Sequence, residues 1–173
     1  MKTKFILTLT ALICLGTLNA QTQEKKNTME PTIRDVNEMH LMYYEFTGPY
    51  EECFTDFGKL MQYIQTNSVA MGPYSIGVYY DDPEVVPVNE LRSEVGYLTN
   101  KVEKGNKVYK TKTLPAGKAV SLKYNSMDDI YPAYGALAAY IAENNLETES
   151  YSVEVYYSND PSVIDAEILM YLK

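Results

Sequence analysis

Shifted against itself by 77 positions, the sequence meets itself in two segments without a gap. Phe57-Gly58-Lys59-Leu60-Met61-Gln62-Tyr63-Ile64 falls on Tyr134-Gly135-Ala136-Leu137-Ala138-Ala139-Tyr140-Ile141. Further on, Tyr74-Ser75-Ile76-Gly77-Val78-Tyr79-Tyr80 falls on Tyr151-Ser152-Val153-Glu154-Val155-Tyr156-Tyr157. Each copy then enters a turn with acid and proline, Asp81-Asp82-Pro83 and Asn159-Asp160-Pro161. A repeat of this period reads as one supersecondary unit used twice. It restricts the fold more than any other feature of the chain, because whatever the unit is, two of them must bury their apolar faces together.

The pattern within the unit is strand, helix, strand, strand. Cys53, Phe54, Phe57, Leu60, Met61 and Ile64 recur at the spacing of one helical face. Gly48-Pro49 opens that segment, and Glu51-Glu52 suits the positive end of a helix. In the second copy Ile130, Leu137, Ala138 and Ile141 form the stripe. Ser126 and Asp129 there resemble a capping box. Asn67 and Asn144-Asn145 are placed to end the helices. Strands are expected at 39–46, 91–99, 108–114, 118–124 and 164–172, besides the two tyrosine-rich segments. Short strands around single helices predict an α+β fold with antiparallel sheets and two main helices. The units span about residues 32–100 and 107–173, joined by the charged stretch 100–106.

The first twenty residues read as an export signal. Lys2 and Lys4 precede an apolar run from Phe5 to Leu18, and Asn19-Ala20 offers the cut. That run is short for a membrane span. A lipid anchor on Cys14 would follow the bulky Ile13. The mature chain then begins near Gln21, with a polar flexible tail over 21–31, in the periplasm or outside the cell. The net charge of −8 argues against nucleic acid as a partner. Cys53 remains as a single thiol, unable to form an internal disulfide and expected to be buried as a small hydrophobe. One histidine, His40, leaves neither a zinc set nor a Cys–His nucleophile. Asp81, Asp82, Glu84 and Glu90 lack the calcium-loop spacing. No metal or cofactor is expected. Arg92 is expected to pair with Glu94 at the surface.

Gly48-Pro49-Tyr50-Glu51-Glu52 at the first helix, Leu114-Pro115-Ala116-Gly117-Lys118 before the second, and Glu154-Val155-Tyr156 followed by Asn159-Asp160-Pro161 are similar to the GyrI-like effector-binding family. That family includes the ligand-sensing domains of multidrug-responsive AraC-type and MerR-type regulators. The likeness covers residues 32–173. It implies two units packed with pseudo-twofold symmetry and a cleft between them for aromatic, often cationic, small molecules. It also implies an acidic residue of the second unit in that cleft. Some members are hydrolases of reactive alkylating compounds. No helix-turn-helix precedes the units, so a stand-alone exported binder is expected rather than a regulator. Asn125-Ser126-Met127 also stands where the first unit has Gly-Pro-Tyr.

Seventeen tyrosines against four phenylalanines and no tryptophan point to surfaces built from rings that carry a hydroxyl. Strand alternation puts Tyr151, Val153, Val155 and Tyr157 on one face, and Ser152, Glu154, Tyr156 and Ser158 on the other. The first copy divides the same way, so Glu154 has Gly77 as its counterpart, with Tyr79 beside it. An acid on one side and missing bulk on the other suit a cleft for one asymmetric ligand. Glu154 among aromatic rings would attract a cation. The candidate ligand-binding residues are Glu154, Tyr156, Tyr79, Gly77, Tyr44 and Tyr171. The expected function is binding of an amphipathic aromatic or cationic small molecule between the repeats. Two alternatives are a hydrolase of electrophilic molecules that uses Glu154 to direct water, and a module whose acidic surface docks a protein.

Overall fold

The computed structural model describes residues 29–158, 160 and 162–173. The expected export signal and most of the expected tail lie outside the described residues, as do two of the three residues of the second acidic turn. Eight strands form a single antiparallel sheet: β1 (Thr32–Val36), β2 (Met39–Thr47), β3 (Met71–Tyr79), β4 (Arg92–Thr99), β5 (Lys110–Leu114), β6 (Gly117–Tyr124), β7 (Ser152–Tyr156) and β8 (Ala166–Tyr171). Two helices, α1 (Phe57–Thr66) and α2 (Ile130–Glu143), complete the α+β fold. Among the described residues no helix is long and apolar enough to cross a membrane.

The strand order is β1-β6-β8-β7-β3-β4-β2-β5. This order forces the sheet to curl. β1 and β2 are joined by Asn37 and Glu38 alone, yet five strands lie between them in the sheet. In a flat sheet that separation would be about 29 Å, while a two-residue link reaches about 10 Å. Pro115 and Ala116 impose the same constraint between β5 and β6. The expected plural sheets are therefore one sheet bent on itself. β1, which the sequence reading leaves without a strand, crosses to pair with β6, and β5 crosses the other way to pair with β2.

The curl makes three cores. Inside it, Val36, Leu41, Tyr43, Ile76, Val78, Leu114, Ala119, Val153, Val155, Leu169 and Tyr171 pack together with no helix residue among them. Outside, α1 lays Leu60 and Ile64 against Met42, Tyr44, Val95 and Tyr97. α2 lays Ala133 and Leu137 against Val120, Leu122, Ala166 and Ile168. Burying one such leucine contributes about 1.5–3 kcal/mol. Both faces of β3 and β7 are thus covered, by the curl on one side and the helix layer on the other.

The first helix differs from its expected course. Residues 50–56 form a 3-10 turn and further turns, and α1 proper starts at Phe57. The Tyr44 hydroxyl donates to the Cys53 carbonyl at 2.5 Å, and Phe57 N–H turns to the Phe54 carbonyl at 3.1 Å, a three-residue closure. Cys53 is fully buried as expected, but on this lead-in rather than on the helix. Gly48 holds φ at +140°, a conformation that favours glycine, just ahead of Pro49. At the second helix the Ser126 side chain accepts from Asp128 N–H at 3.2 Å, capping a 3-10 turn that runs into α2. Asn67 and Asn144 donate their side chains to the Tyr63 and Tyr140 carbonyls, at 2.9 and 2.8 Å. The left-handed residues follow one position later, Ser68 at φ 52° and Asn145 at φ 50°.

Candidate functional site: a carboxylate held by tyrosines

β3 and β7 are neighbours at the middle of the sheet, and their register sets Gly77 opposite Glu154. Directly opposed residues of an antiparallel pair share a face. Glu154 therefore projects into the helix layer between the two halves of the chain. It is 5% exposed. Three phenols donate to it: Tyr134 of α2 to Oε1 at 2.8 Å, Tyr124 of β6 to Oε2 at 2.8 Å, and Tyr156 of β7 to Oε2 at 2.6 Å.

The proton directions follow from the inventory of donors. Each phenol has one hydrogen. Tyr156 spends its own on Glu154, so at the 2.9 Å contact between Tyr79 and Tyr156 it is Tyr79 that donates. By the same logic Ser152 donates to Tyr134, at 3.0 Å. The network is a pair of relays converging on one carboxylate. Burial, and then the charge of Glu154, push the Tyr79 and Tyr134 hydroxyls well above the ordinary phenol range. Tyr156 is pushed the same way by burial and by its neighbours Tyr79 and Glu154. These hydroxyls stay protonated and act as donors throughout the neutral range. An ionised carboxylate out of water needs compensation, and bonds from hydroxyls to a charged acceptor supply part of it. Among the described residues no lysine, arginine or histidine forms an ion pair with Glu154.

Tyr79 closes the site from the first half. Its ring folds back over Gly77, so that a Cβ on Gly77 would lie 2.7 Å from its hydroxyl and 2.8 Å from two ring carbons. Tyr50 meets the Tyr79 ring edge-on at 4.9 Å, and Phe54 meets Tyr156 edge-on at 5.5 Å. Tyr50 is itself fixed through its hydroxyl on the Asp81 carbonyl at 2.9 Å. Cys53 lies beside Tyr79 and Ser93, its thiol pushed up to about 11 by burial against the pull of those contacts. Two open hollows of 320 and 310 Å³ lie elsewhere, beside Arg34 and Glu167 and beside Tyr80 and Arg92.

Of the residues singled out in the sequence, the fold brings together Glu154, Tyr156, Tyr79 and Gly77. The space expected opposite Glu154 is not open, because the Tyr79 ring occupies it. Tyr44 shares the helix-side layer but commits its hydroxyl to the Cys53 carbonyl. Tyr171 does not join the group. It lies inside the curl, 6.0 Å from Tyr151, on the other face of the sheet. Tyr124 and Tyr134 escaped the sequence reading. The signal for Tyr134 was present, since at the 77-residue spacing it replaces Phe57, gaining a hydroxyl where Glu154 replaces Gly77. Arg92 pairs with Asp81 at 2.7 Å rather than with Glu94, which pairs with Lys112. Asp82 accepts from Glu84 N–H at 2.8 Å, so the acidic turn is organised by its own backbone. His40 Nδ1 meets the Thr113 hydroxyl at 2.9 Å.

Residues 29–173 match the GyrI-like small molecule binding domain family. The SPbeta prophage-derived protein YosT of Bacillus subtilis (strain 168), described as a candidate transcriptional regulator, is 27% identical over 124 residues, which are 68% of this chain and 81% of YosT. The C-terminal domain of EcmrR superposes with a TM-score of 0.71 at 15% identity, covering 84% of this chain and 98% of that domain. In the EcmrR–DNA complex this chain spans 57% of the EcmrR chain, with a TM-score of 0.65 at 17% identity over 83% of this chain. SAV2435, solved with tetraphenylphosphonium bound, gives a TM-score of 0.54 at 15% identity, over 84% of this chain and 94% of that one. At these identities the structural likenesses concern the fold.

Proposed function

The chain belongs to the GyrI-like family of small-molecule-binding domains, and from that premise we propose that it binds an amphipathic aromatic cation at Glu154, between its two halves. The observation that carries this is the buried carboxylate that, among the described residues, is held by hydroxyls alone. A ligand cation would supply the counter-charge, and the ring faces would add about 0.5–2 kcal/mol of cation–π attraction. SAV2435 holds such a cation on the same fold, which supports the reading by analogy. Entry requires Tyr79, and the Tyr50–Phe54 segment packed on it, to move aside.

Binding is favoured over hydrolysis by the state of the carboxylate. Both oxygens of Glu154 accept from phenols, and Oε2 accepts from two. A general base would need one of them turned toward water. Glu154→Gln keeps the shape and removes the charge. Affinity for cationic aromatic dyes should then fall by about 1.5–3 kcal/mol, with neutral aromatic ligands barely affected. Titration calorimetry of both ligand classes reads this directly. Unchanged binding of both classes would show that Glu154 is not the working group. Retained binding with lost turnover of an electrophilic substrate would favour the hydrolase.

We read the two halves as a duplicated unit related by a pseudo-twofold axis between β3 and β7. The support is the order β1-β6-β8-β7, mirrored by β3-β4-β2-β5, and a register in which Ser75 faces Tyr156 as Tyr79 faces Ser152. We further propose that the chain works in the periplasm or outside the cell, from the layout of residues 1–20.

A further inference from the structure

We propose that Tyr79 is a built-in stand-in for the ligand, and that Gly77 beneath it is a shelf shaped for one planar aromatic ring with its cationic group at one end. This rests on the reading of Glu154 as the cation's partner and adds the shape and orientation of what binds there. Three observations define the shelf. The Tyr79 ring lies so close over Gly77 that a Cβ would sit 2.7–2.8 Å from its outer atoms. The ring is met edge-on by Tyr50 at 4.9 Å. Its hydroxyl points at Tyr156, the neighbour of the carboxylate, at 2.9 Å. A plane resting on bare backbone, met by a second ring in a T-shaped contact and polar at one tip, describes the place Tyr79 occupies. It equally describes the ligand that would replace it.

The two halves differ in a way that orients such a ligand. At the 77-residue spacing, Gly77 and Phe57 of the first half answer Glu154 and Tyr134 of the second. Charge and the extra hydroxyl both lie on the second side. On the first side Phe54 and Phe57 continue the rings, at 5.3 Å from each other, and Phe57 stacks on Tyr97 at 4.4 Å. The cationic tip therefore enters the tyrosine-held carboxylate and the flat body faces α1. A globular cation with rings on all sides has no such plane to lay on Gly77.

A stand-in and a wall respond oppositely to truncation. Removing a wall weakens binding. Removing a stand-in frees the site, because the competent state no longer has to be won from a closed one. The probes are benzamidinium, one flat ring with a planar terminal cation, and tetraphenylphosphonium. Tyr79→Ala should tighten benzamidinium binding about tenfold by titration calorimetry, and Tyr79→Phe, which loses only the hydroxyl contact, should tighten it less. Gly77→Ala, although it also pushes Tyr79 aside, should weaken benzamidinium at least tenfold. Tetraphenylphosphonium should bind the native protein more weakly than benzamidinium does. Thermal melts of each variant establish that the fold is kept. If Tyr79→Ala unfolds, Tyr79→Phe and Gly77→Ala carry the test. Weaker benzamidinium binding in Tyr79→Ala or Tyr79→Phe, or unchanged binding in Gly77→Ala, overturns the proposal. When Glu154→Gln still weakens cation binding in that case, the cation site stands and only the stand-in falls. When no variant nor the native protein binds either cation, both readings fall together.

Discussion

Glu154 gathers three buried phenols on its carboxylate, and the phenols of this network carry a consequence for pH. Tyr79, Tyr134 and Tyr156 have folded-state values raised well above the ordinary phenol range, by burial before any other cause. A raised folded value means a contribution to stability that is complete below the unfolded value, about 10, and lost as pH rises above it. Each such group costs about 1.4 kcal/mol per pH unit there. The protein should therefore unfold cooperatively in alkali, with phenolate absorbance from these rings appearing together with the loss of far-ultraviolet circular dichroism. A single phenolate wave in the ordinary phenol range with the fold intact would contradict the burial of the network. Strand alternation placed Glu154 and Tyr156 on one face, since successive side chains must point to opposite sides, and the 77-residue repeat put Gly77 and Tyr79 on the matching face of the first copy. It could not place Tyr171 relative to them, because that requires the register between β7 and β8, which no local pattern carries. Nor could it see that the space over Gly77 is taken by Tyr79, two residues further along the same strand.

At the level of elements, β1 shows what the periodicity left out. Thr-Ile-Arg-Asp-Val is short and largely exposed, so its apolar signal is weak, and it becomes a strand by pairing with β6 at the far edge. A side-chain fork fixes it there. Arg34 donates to Glu167 of β8 through Nε and Nη2, at 2.8 and 2.7 Å, and the Tyr157 hydroxyl adds a 2.5 Å bond to the same carboxylate. Burial pulls the Glu167 acid upward, but the bonds from Arg34 and Tyr157 outweigh it and hold the group below the usual carboxylate range. Arg34→Met leaves that carboxylate buried without its cation and should cost about 2–4 kcal/mol at neutral pH. A lowered folded value gives stability that is present above the unfolded value and lost as pH falls through the folded one. The gap between native and Arg34→Met urea midpoints should therefore shrink from pH 7 to pH 3. An equal gap at both would show that Glu167 is not the partner through which Arg34 acts. The other edge strand, β5, uses Lys112 on Glu94, with Lys112 also donating to Tyr80 at 2.8 Å. The helix stripe, by contrast, was legible except at its start, where the Tyr44 hydroxyl claims the Cys53 carbonyl across the layer.

For the molecule as a whole, the proposed export carries its own test. If residues 1–20 are removed at the membrane, the mass of the protein recovered from the periplasm or medium should correspond to a chain starting at Gln21. A full-length mass from the cytoplasm would place the binding site in a different compartment and bring regulatory partners back into consideration. Much about this protein was determined by the sequence alone: the α+β class, the two helices, seven of the eight strands, and an acid answered by a glycine at the 77-residue spacing. All of these are local, arising from side-chain period, caps and turn chemistry within one stretch of chain, together with the family likeness those stretches carry. The tertiary structure alone decided that one sheet curls on itself, that β1 and β5 trade sides, and that Tyr124 and Tyr134 reach the Glu154 carboxylate from elements thirty and twenty residues away. It also decided that the site is closed by Tyr79. These depend on strand order and on which side chains compete for the same space. Such competition is settled by packing between distant segments, where the free energy of burying a ring or satisfying a carboxylate outweighs any local preference.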